Sequence, residues 1–255
     1  MKNCFHAGDI LIPDKISMKK WACIACDQFS SQPEYWDAVE AFVGEAPSTL
    51  HLIIPELYIR QGRTQGRIAA IHRRMEEYSD LFRTFRRSFI YLERTLTGGA
   101  RRRGLVGQID LEDYDFHPGS GALIRATEAT VEDRLPPRME LVRGACLEFP
   151  HVLLLCNDQQ DSILQQAGEV RGRKVYDFDL MQEGGRITGW EISGMGVSLV
   201  NQAVSDYIEA STAQQGADPM AFAVGDGNHS LAAAKACWEE IKPALTPEEQ
   251  LQHPA

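Results

Sequence analysis

An apolar run, a short glycine-containing turn and an amphipathic segment follow one another near the C-terminal end of this 255-residue sequence. The apolar run is Met220 to Val224, and the turn, GDGNHS, spans Gly225 to Ser230. After the turn, apolar residues recur at helical spacing, which predicts a helix with Leu231, Trp238 and Ile241 on its buried face. A strand that leads directly into a helix predicts a layered fold that contains both element types.

Helical and strand patterns alternate along the rest of the chain. Tyr176, Phe178 and Leu180 alternate before a Glu183-Gly184-Gly185 turn, which predicts a β-hairpin. Antiparallel hairpins with interspersed helices predict an α+β (mixed α/β) fold, not a doubly wound parallel sheet. Further strands are predicted at 51–55, 88–96, 104–111 and 151–156, and further helices at 68–82 and 196–213.

Charge and hydropathy exclude some classes of function. The net charge of -10 argues against a general nucleic-acid binder. The N-terminal residues have no apolar stretch long enough for a signal peptide, and the longest apolar run, Val152 to Cys156, is far too short to span a bilayer. We therefore expect a cytoplasmic protein that acts on a small-molecule substrate, with neither nucleic acid nor a membrane as its partner.

Arginine is concentrated in one part of the chain. The stretch from Arg60 to Arg103 contains 12 arginines and only four acidic residues. Such a stretch could face an anionic ligand or partner, or its arginines could pair with acidic residues elsewhere in the chain. The sequence leaves both interpretations open.

The turn between the predicted strand and helix has the features of an anion site. Backbone N–H groups and the positive end of the helix dipole point outward at a helix start, which suits a phosphate group. Gly225 and Gly227 would let the backbone approach the anion, and His229 could donate a hydrogen bond to it. Asn228 or Ser230 could cap the helix. The alternative is a capped helix start that binds no ligand.

Three common motifs do not match this turn. A dinucleotide-binding fingerprint would need a glycine at Ser230, and a P-loop needs Gly-Lys-Ser/Thr after four free positions. Asp226, Asn228 and Ser230 resemble the start of a calcium loop, but Leu231 replaces its glycine and Cys237 its final glutamate. Spacing alone therefore assigns no ligand to the turn.

Several segments resemble the family catalogued as domain of unknown function 1015. Asp226 to Ala234, DGNHSLAAA, resembles the Asp-Gly-His-His-Arg element of that family. Members of the family normally continue beyond the equivalent of Ala255, so we expect a C-terminal part of its domain to be absent here. The likeness continues in WACIACDQFSSQPEYW at Trp21 to Trp36, LVGQIDLEDYDF at Leu105 to Phe116 and IRATEATVEDRLPPR at Ile124 to Arg138.

The resemblance implies nucleotide binding. A similar strand–turn–helix element in the ParB and sulfiredoxin superfamily, and in an archaeal ADP-dependent serine kinase, holds nucleotide phosphates. The resemblance implies that the nucleotide is ADP or ATP, that Mg²⁺ accompanies it, and that the reaction is phosphoryl transfer. Asn228 stands where the family usually has histidine, and Ser230 where it usually has arginine. The positive charge missing at Ser230 would have to come from Mg²⁺, from Lys235 or from an arginine elsewhere.

A second segment and one loop residue supply the remaining candidates. RATEAT at 125–130 has the Arg-x-x-Glu-x-Thr pattern of the family, in which Arg125 would bind an anion and Glu128 would act as a base or hold a metal. The alternative is a short capped helix that ends at Pro136-Pro137, with surface ion pairs around it. Asp27, in a loop-like position, is a second candidate base or a turn-forming aspartate.

These residues give three hypotheses about function. The first is a nucleotide-dependent small-molecule kinase that holds phosphates at residues 225–230 and Arg125 and uses Glu128 or Asp27 as the base for a substrate hydroxyl. The second is a non-catalytic nucleotide-sensing or partner-binding regulator with the same phosphate site. The third is a structural domain without a ligand at the turn. Residues 1–255 are expected to form one large unit, with lobes at 1–150 and 151–255 as the alternative.

Overall fold

The computed structural model describes residues 3–23, 29–60, 62, 64, 66–149, 152–215 and 219–253, and its mixed α+β content confirms the predicted fold class. The described strands are β1 (Phe5–His6), β2 (Gly8–Pro13), β3 (Phe82–Thr95), β4 (Arg101–Val106), β5 (Gln108–Ile109), β6 (Tyr114–Asp115), β7 (Ile124–Ala126), β8 (Leu153–Leu155), β9 (Lys174–Asp179), β10 (Arg186–Ile192) and β11 (Phe222–Asp226). The described α-helices are α1 (Met18–Trp21), α2 (Pro33–Val43), α3 (Glu56–Arg60), α4 (Arg67–Tyr78), α5 (Pro136–Val142), α6 (Ser162–Glu169), α7 (Met195–Gln215), α8 (Asn228–Ile241) and α9 (Pro247–Gln252).

The chain divides into two compact units, each built from two segments. The first unit contains Met1–Gln108 and Asp158–Ile208, and the second contains Ile109–Asn157 and Glu209–Ala255. No α-helix within the described ranges is both long enough and apolar enough to cross a membrane.

An antiparallel sheet forms the centre of the first unit. Its strand order is β2-β3-β10-β9, and β4 also pairs with β3. The first half of β3 pairs with β2, and its second half pairs with both β10 and β4. Arg87 lies at the change of partner, with a φ of 46°. The predicted hairpin is confirmed, because β9 and β10 pair antiparallel across the Glu183-Gly184-Gly185 turn.

Local patterns predicted the helices of this unit better than its short apolar runs. The helix expected over 68–82 is α4, which ends at Tyr78 because Phe82 already begins β3, and the helix expected over 196–213 is α7. The strand expected over His51–Pro55 is wrong, because Thr49–Leu52 forms a 3-10 helix. The Ser48 hydroxyl oxygen accepts a hydrogen bond from the Leu50 N–H at 3.2 Å, which stabilises the turn instead of an extended strand.

A four-stranded sheet in the order β6-β7-β11-β8 forms the second unit. β6, β7 and β11 run parallel, and β8 pairs antiparallel with β11. Tyr114, Ile124, Phe222 and Val224 are almost fully buried and alternate with less buried residues, so one face of the sheet packs into the core. Because the three parallel strands end at the same edge, the residues that follow them lie side by side.

Helices α5 and α8 pack together in this unit. Ala232 and Ala233 of α8 are fully buried and form a core cluster with Leu135. Met139 of α5 packs against this cluster. The alternative of a short capped helix that ends at Pro136-Pro137 holds only in part. A 3-10 helix at Glu132–Arg134 does precede the prolines, but no described side chain caps it, and the prolines begin α5. Proline is favoured in the first turn of a helix, where the missing N–H has no intrahelical acceptor.

Candidate functional site

The Gly225–Ser230 turn joins the end of β11 to the start of α8. Gly227 adopts a left-handed conformation, with φ 83° and ψ 21°, which any residue with a Cβ would adopt at a penalty of about 1–2 kcal/mol. Its N–H donates to Asp226 Oδ1 at 2.8 Å. The Asp226 side chain therefore holds the turn that aims the start of α8.

No side chain in the described part of the chain caps the start of α8. The helix begins at Asn228, and Gly227 occupies the capping position without a side chain. The expectation that Asn228 or Ser230 caps the helix is wrong, because both lie within its first turn. The first N–H groups of an α-helix have no intrahelical acceptors, and a missing cap leaves them suited to an anion.

Asn228 places a polar oxygen in a buried position at this helix start. The residue is only 5% exposed, and its Oδ1 finds no hydrogen-bond partner among the described residues. Thr130 Oγ1 is likewise buried without a partner in the described part of the chain. A buried polar atom of this kind destabilises a fold by about 1–3 kcal/mol. An oxygen acceptor at Asn228 fits either a ligand hydroxyl or a hard cation such as Mg²⁺.

The segment after β7 contacts the turn directly. The Thr127 hydroxyl donates to the Val224 carbonyl oxygen at 2.6 Å, and the Val131 N–H donates to His229 Nε2 at 3.3 Å. In this bond Nε2 is the acceptor, so the N–H of the corresponding tautomer lies on Nδ1. Glu128 is exposed in the short stretch between these two contacts. The structure thus brings the two predicted segments together.

Arg125 and Gly225 have contacts within the sheet. Arg125 lies in β7 opposite Ala223, and its Nη1 donates to the Ser120 carbonyl oxygen at 2.9 Å. A Cβ at Gly225 would lie 2.7 Å from Leu155 Cδ1, so the glycine allows β8 to pack closely. The other predicted base, Asp27, lies outside the described residues.

An Asp–His pair at the same edge of the sheet was missed by the sequence reasoning. The His117 Nδ1 and Asp115 Oδ1 atoms lie 2.6 Å apart at the end of β6, of which Asp115 is the last residue. Burial opposes ionisation of Asp115, but hydrogen bonds from the His117 backbone and ring lower the pKa of its carboxyl group overall. The pair lines a cleft of about 610 Å³ together with Phe116 and Met139. The signal was an Asp-x-His pattern, in which a single residue separates the aspartate from the histidine.

The lysine proposed as a replacement cation has other partners. Lys235 Nζ lies 2.7 Å from Glu239 Oε1 and 4.0 Å from Glu112 Oε1. Glu112 also accepts hydrogen bonds from the Lys242 ammonium and the Trp238 ring nitrogen, which lower the pKa of its carboxyl group. Within the described ranges, no group of three or more His, Cys, Asp or Glu side chains could hold a metal ion. A bound Mg²⁺ would therefore need ligands from phosphate groups as well.

The comparisons with known proteins give one match. The family described as "Protein of unknown function (DUF1015)" matches residues 12–255. The search of curated proteins and the search of solved structures each return no match. The match covers nearly the whole sequence, including the Gly225–Ser230 turn and the segment around Glu128. The chain therefore belongs to the DUF1015 family.

Proposed function

We propose that this chain binds the phosphates of ADP or ATP at the Gly225–Ser230 turn and transfers the terminal phosphate to the hydroxyl group of a small molecule. The observation that carries the proposal is the buried Asn228 Oδ1, which has no partner among the described residues, at the uncapped start of α8. An uncapped helix start suits phosphate oxygens, and the amide oxygen suits the cation or hydroxyl group that accompanies them.

Four residues at this edge of the sheet have a role in the proposal: Asp226, Asn228, His229 and Glu128. The first N–H groups of α8 and the Nδ1–H of His229 bind phosphate oxygens. Asn228 Oδ1 and the Asp226 carboxylate hold Mg²⁺, which neutralises negative charge on the phosphates. Glu128 accepts the proton of the substrate hydroxyl. The hydroxyl oxygen bonds to the terminal phosphorus, and the bond from that phosphorus to the bridging oxygen of the leaving nucleotide breaks.

The thermal midpoint of unfolding tests the binding step. It is measured with Mg²⁺ plus ADP, ATP or CTP, for the unmodified chain and the His229→Ala variant. A ligand that binds only the native state at 100 times its Kd adds about 2.7 kcal/mol of stability. We expect ADP or ATP to raise the midpoint and the variant to lose most of the shift, whereas Arg134→Ala, an exposed substitution in the same unit, should keep it. No shift with any nucleotide would contradict the proposal.

A non-catalytic regulator is the second candidate function. It is favoured by the engagement of Lys235 with Glu239 and by the lack of a preformed metal cluster among the described side chains. Nucleotide consumption with a panel of small hydroxy compounds separates the two candidates. A kinase consumes ATP with one compound, and Glu128→Gln stops the turnover while the midpoint shift remains. Binding without turnover across the panel would favour the regulator.

A further inference from the structure

A second cleft, in the first unit, has an arginine in its wall that the proposed function does not use. The cleft has a volume of about 400 Å³ and lies between the end of α2, the Thr49–Leu52 turn and α4. Leu50, Ile53 and Ile71 supply apolar walls, and Arg67 supplies a cation. The lining therefore combines an apolar surface with a guanidinium group. We refer to it as the Arg67 cleft.

Stacking on an aromatic ring holds the Arg67 side chain, and none of the described carboxylates pairs with it. Its guanidinium carbon lies 4.1 Å from the centroid of the Tyr58 ring, a cation–π distance. Tyr58 is 7% exposed and its hydroxyl donates to Glu40 Oε1 at 2.8 Å, so the ring beneath Arg67 is itself fixed. No described side chain forms an ion pair or hydrogen bond with the Arg67 guanidinium. Its fork of N–H donors is ordered by stacking and still available.

Other arginines of the Arg60–Arg103 stretch behave differently. Several arginines of this stretch pair with carboxylates, as one interpretation of the sequence expected. Arg67 differs from them, because none of the described carboxylates pairs with it. Arg74, which also lines the cleft, forms an ion pair with Glu77 at 2.8 Å. Burial, followed by the charge of Arg74, lowers the pKa of His51 on the cleft wall, which keeps this imidazole neutral near pH 7. The arginine–carboxylate pairs of the Arg60–Arg103 stretch include Arg74–Glu77, Arg86–Asp9 and Arg103–Asp161.

We propose that the Arg67 cleft binds a small monocarboxylate with a hydrocarbon body. The guanidinium fork of Arg67 matches the two oxygens of a carboxylate, and the apolar walls accept the hydrocarbon part. A single unpaired guanidinium balances one negative charge. A phosphate dianion would need a second unpaired cation, and Arg74, the other arginine on the lining, is paired with Glu77 and Glu45. The site therefore selects a monoanion over a phosphate.

Binding of benzoate and hexanoate, measured by titration calorimetry or ligand-observed NMR, tests this inference. We expect saturable binding of at least one carboxylate, no binding of the matching amide, and an affinity at least about tenfold lower in Arg67→Lys, which keeps the charge but loses the fork. Arg73→Ala is the control, because Arg73 is exposed on the same helix and does not line the cleft. The circular dichroism spectrum checks that each variant is folded.

Four results would overturn the inference. These are no saturable binding of either carboxylate, equal binding of the amide, an affinity that Arg67→Lys leaves unchanged, or inorganic phosphate that binds more tightly than both carboxylates. The Arg67 cleft shares no lining residue with the Gly225–Ser230 turn, so this test does not depend on the proposed nucleotide binding.

Discussion

The buried amide of Asn228 gives the sharpest prediction, because the substitution should change stability and binding in opposite directions. Asn228→Leu removes an oxygen that has no partner among the described residues and is 5% exposed. Removing such an atom should raise the free energy of unfolding by about 1–3 kcal/mol. Fitting the bulkier leucine side chain into the same space should lower it by about 1 kcal/mol. We expect the free energy of unfolding to rise by about 1 kcal/mol without nucleotide, and the nucleotide-induced midpoint shift to disappear.

Asn201 in α7 provides a matched control. Its Oδ1 is also buried without a partner in the described part of the chain, but it belongs to the first unit and has no role in the proposed site. Urea unfolding followed by circular dichroism should show a similar gain in stability for Asn201→Leu, with the nucleotide shift retained. A loss of stability in Asn228→Leu would refute the reasoning that the Asn228 amide oxygen gains its hydrogen-bond partner or cation only when a ligand binds. A retained shift in that variant would refute its role in binding.

Two further predictions concern stability alone. A Cβ at Gly185 (φ +88°) would lie 2.1 Å from the Thr95 carbonyl oxygen, whereas one at Gly99 (φ +82°) meets no atom within 4 Å. Urea unfolding should therefore show a loss of about 1 kcal/mol for Gly99→Ala and about 3 kcal/mol or more for Gly185→Ala, and equal losses would be inconsistent with the clash. The hydrogen bond from Lys242 lowers the pKa of the Glu112 carboxyl group below its ordinary 4.5. The ionised carboxylate therefore stabilises the fold fully above pH 4.5, and this stabilisation is lost as the pH falls through the lowered pKa. Glu112→Gln should flatten the fall of the thermal midpoint below about pH 4.5, and an unchanged slope would count against this assignment.

The elements that the sequence predicted well are those whose information is local. The β9–β10 hairpin follows from alternation on both sides of a glycine turn, and α7 follows from a long helical stripe. A short apolar run has no such periodicity, which is why His51–Pro55 was expected to be a strand. Hydrogen bonds of the Ser48 and Thr49 side chains hold that segment in a 3-10 turn instead.

The candidate site depends on pairing between distant segments, which local patterns cannot predict. β6, β7 and β11 come together only because Asp115, Arg125 and Ala223 pair across two parallel ladders. The sequence identified the turn and the segment around Glu128 separately, and only the family resemblance linked them. His117 showed no metal-ligand spacing, and its position beside this edge follows from the sheet order alone.

Charge balance at the Gly225–Ser230 turn leads to the last prediction. Ser230 stands where the family resemblance expects an arginine, and Lys235 is paired with Glu239. A helix start supplies the equivalent of about half a positive charge, too little to balance the several negative charges of a nucleotide. Mg²⁺ must then supply the difference.

We therefore expect EDTA to abolish the midpoint shift with ATP in the unmodified chain. Ser230→Arg should retain part of that shift in EDTA, because it places a guanidinium on the first turn of α8. Gln202→Arg, an exposed position on α7, adds the same charge elsewhere and should retain none. A full shift of the unmodified chain in EDTA would show that the protein itself supplies the missing charge, and the role assigned to Mg²⁺ would be wrong.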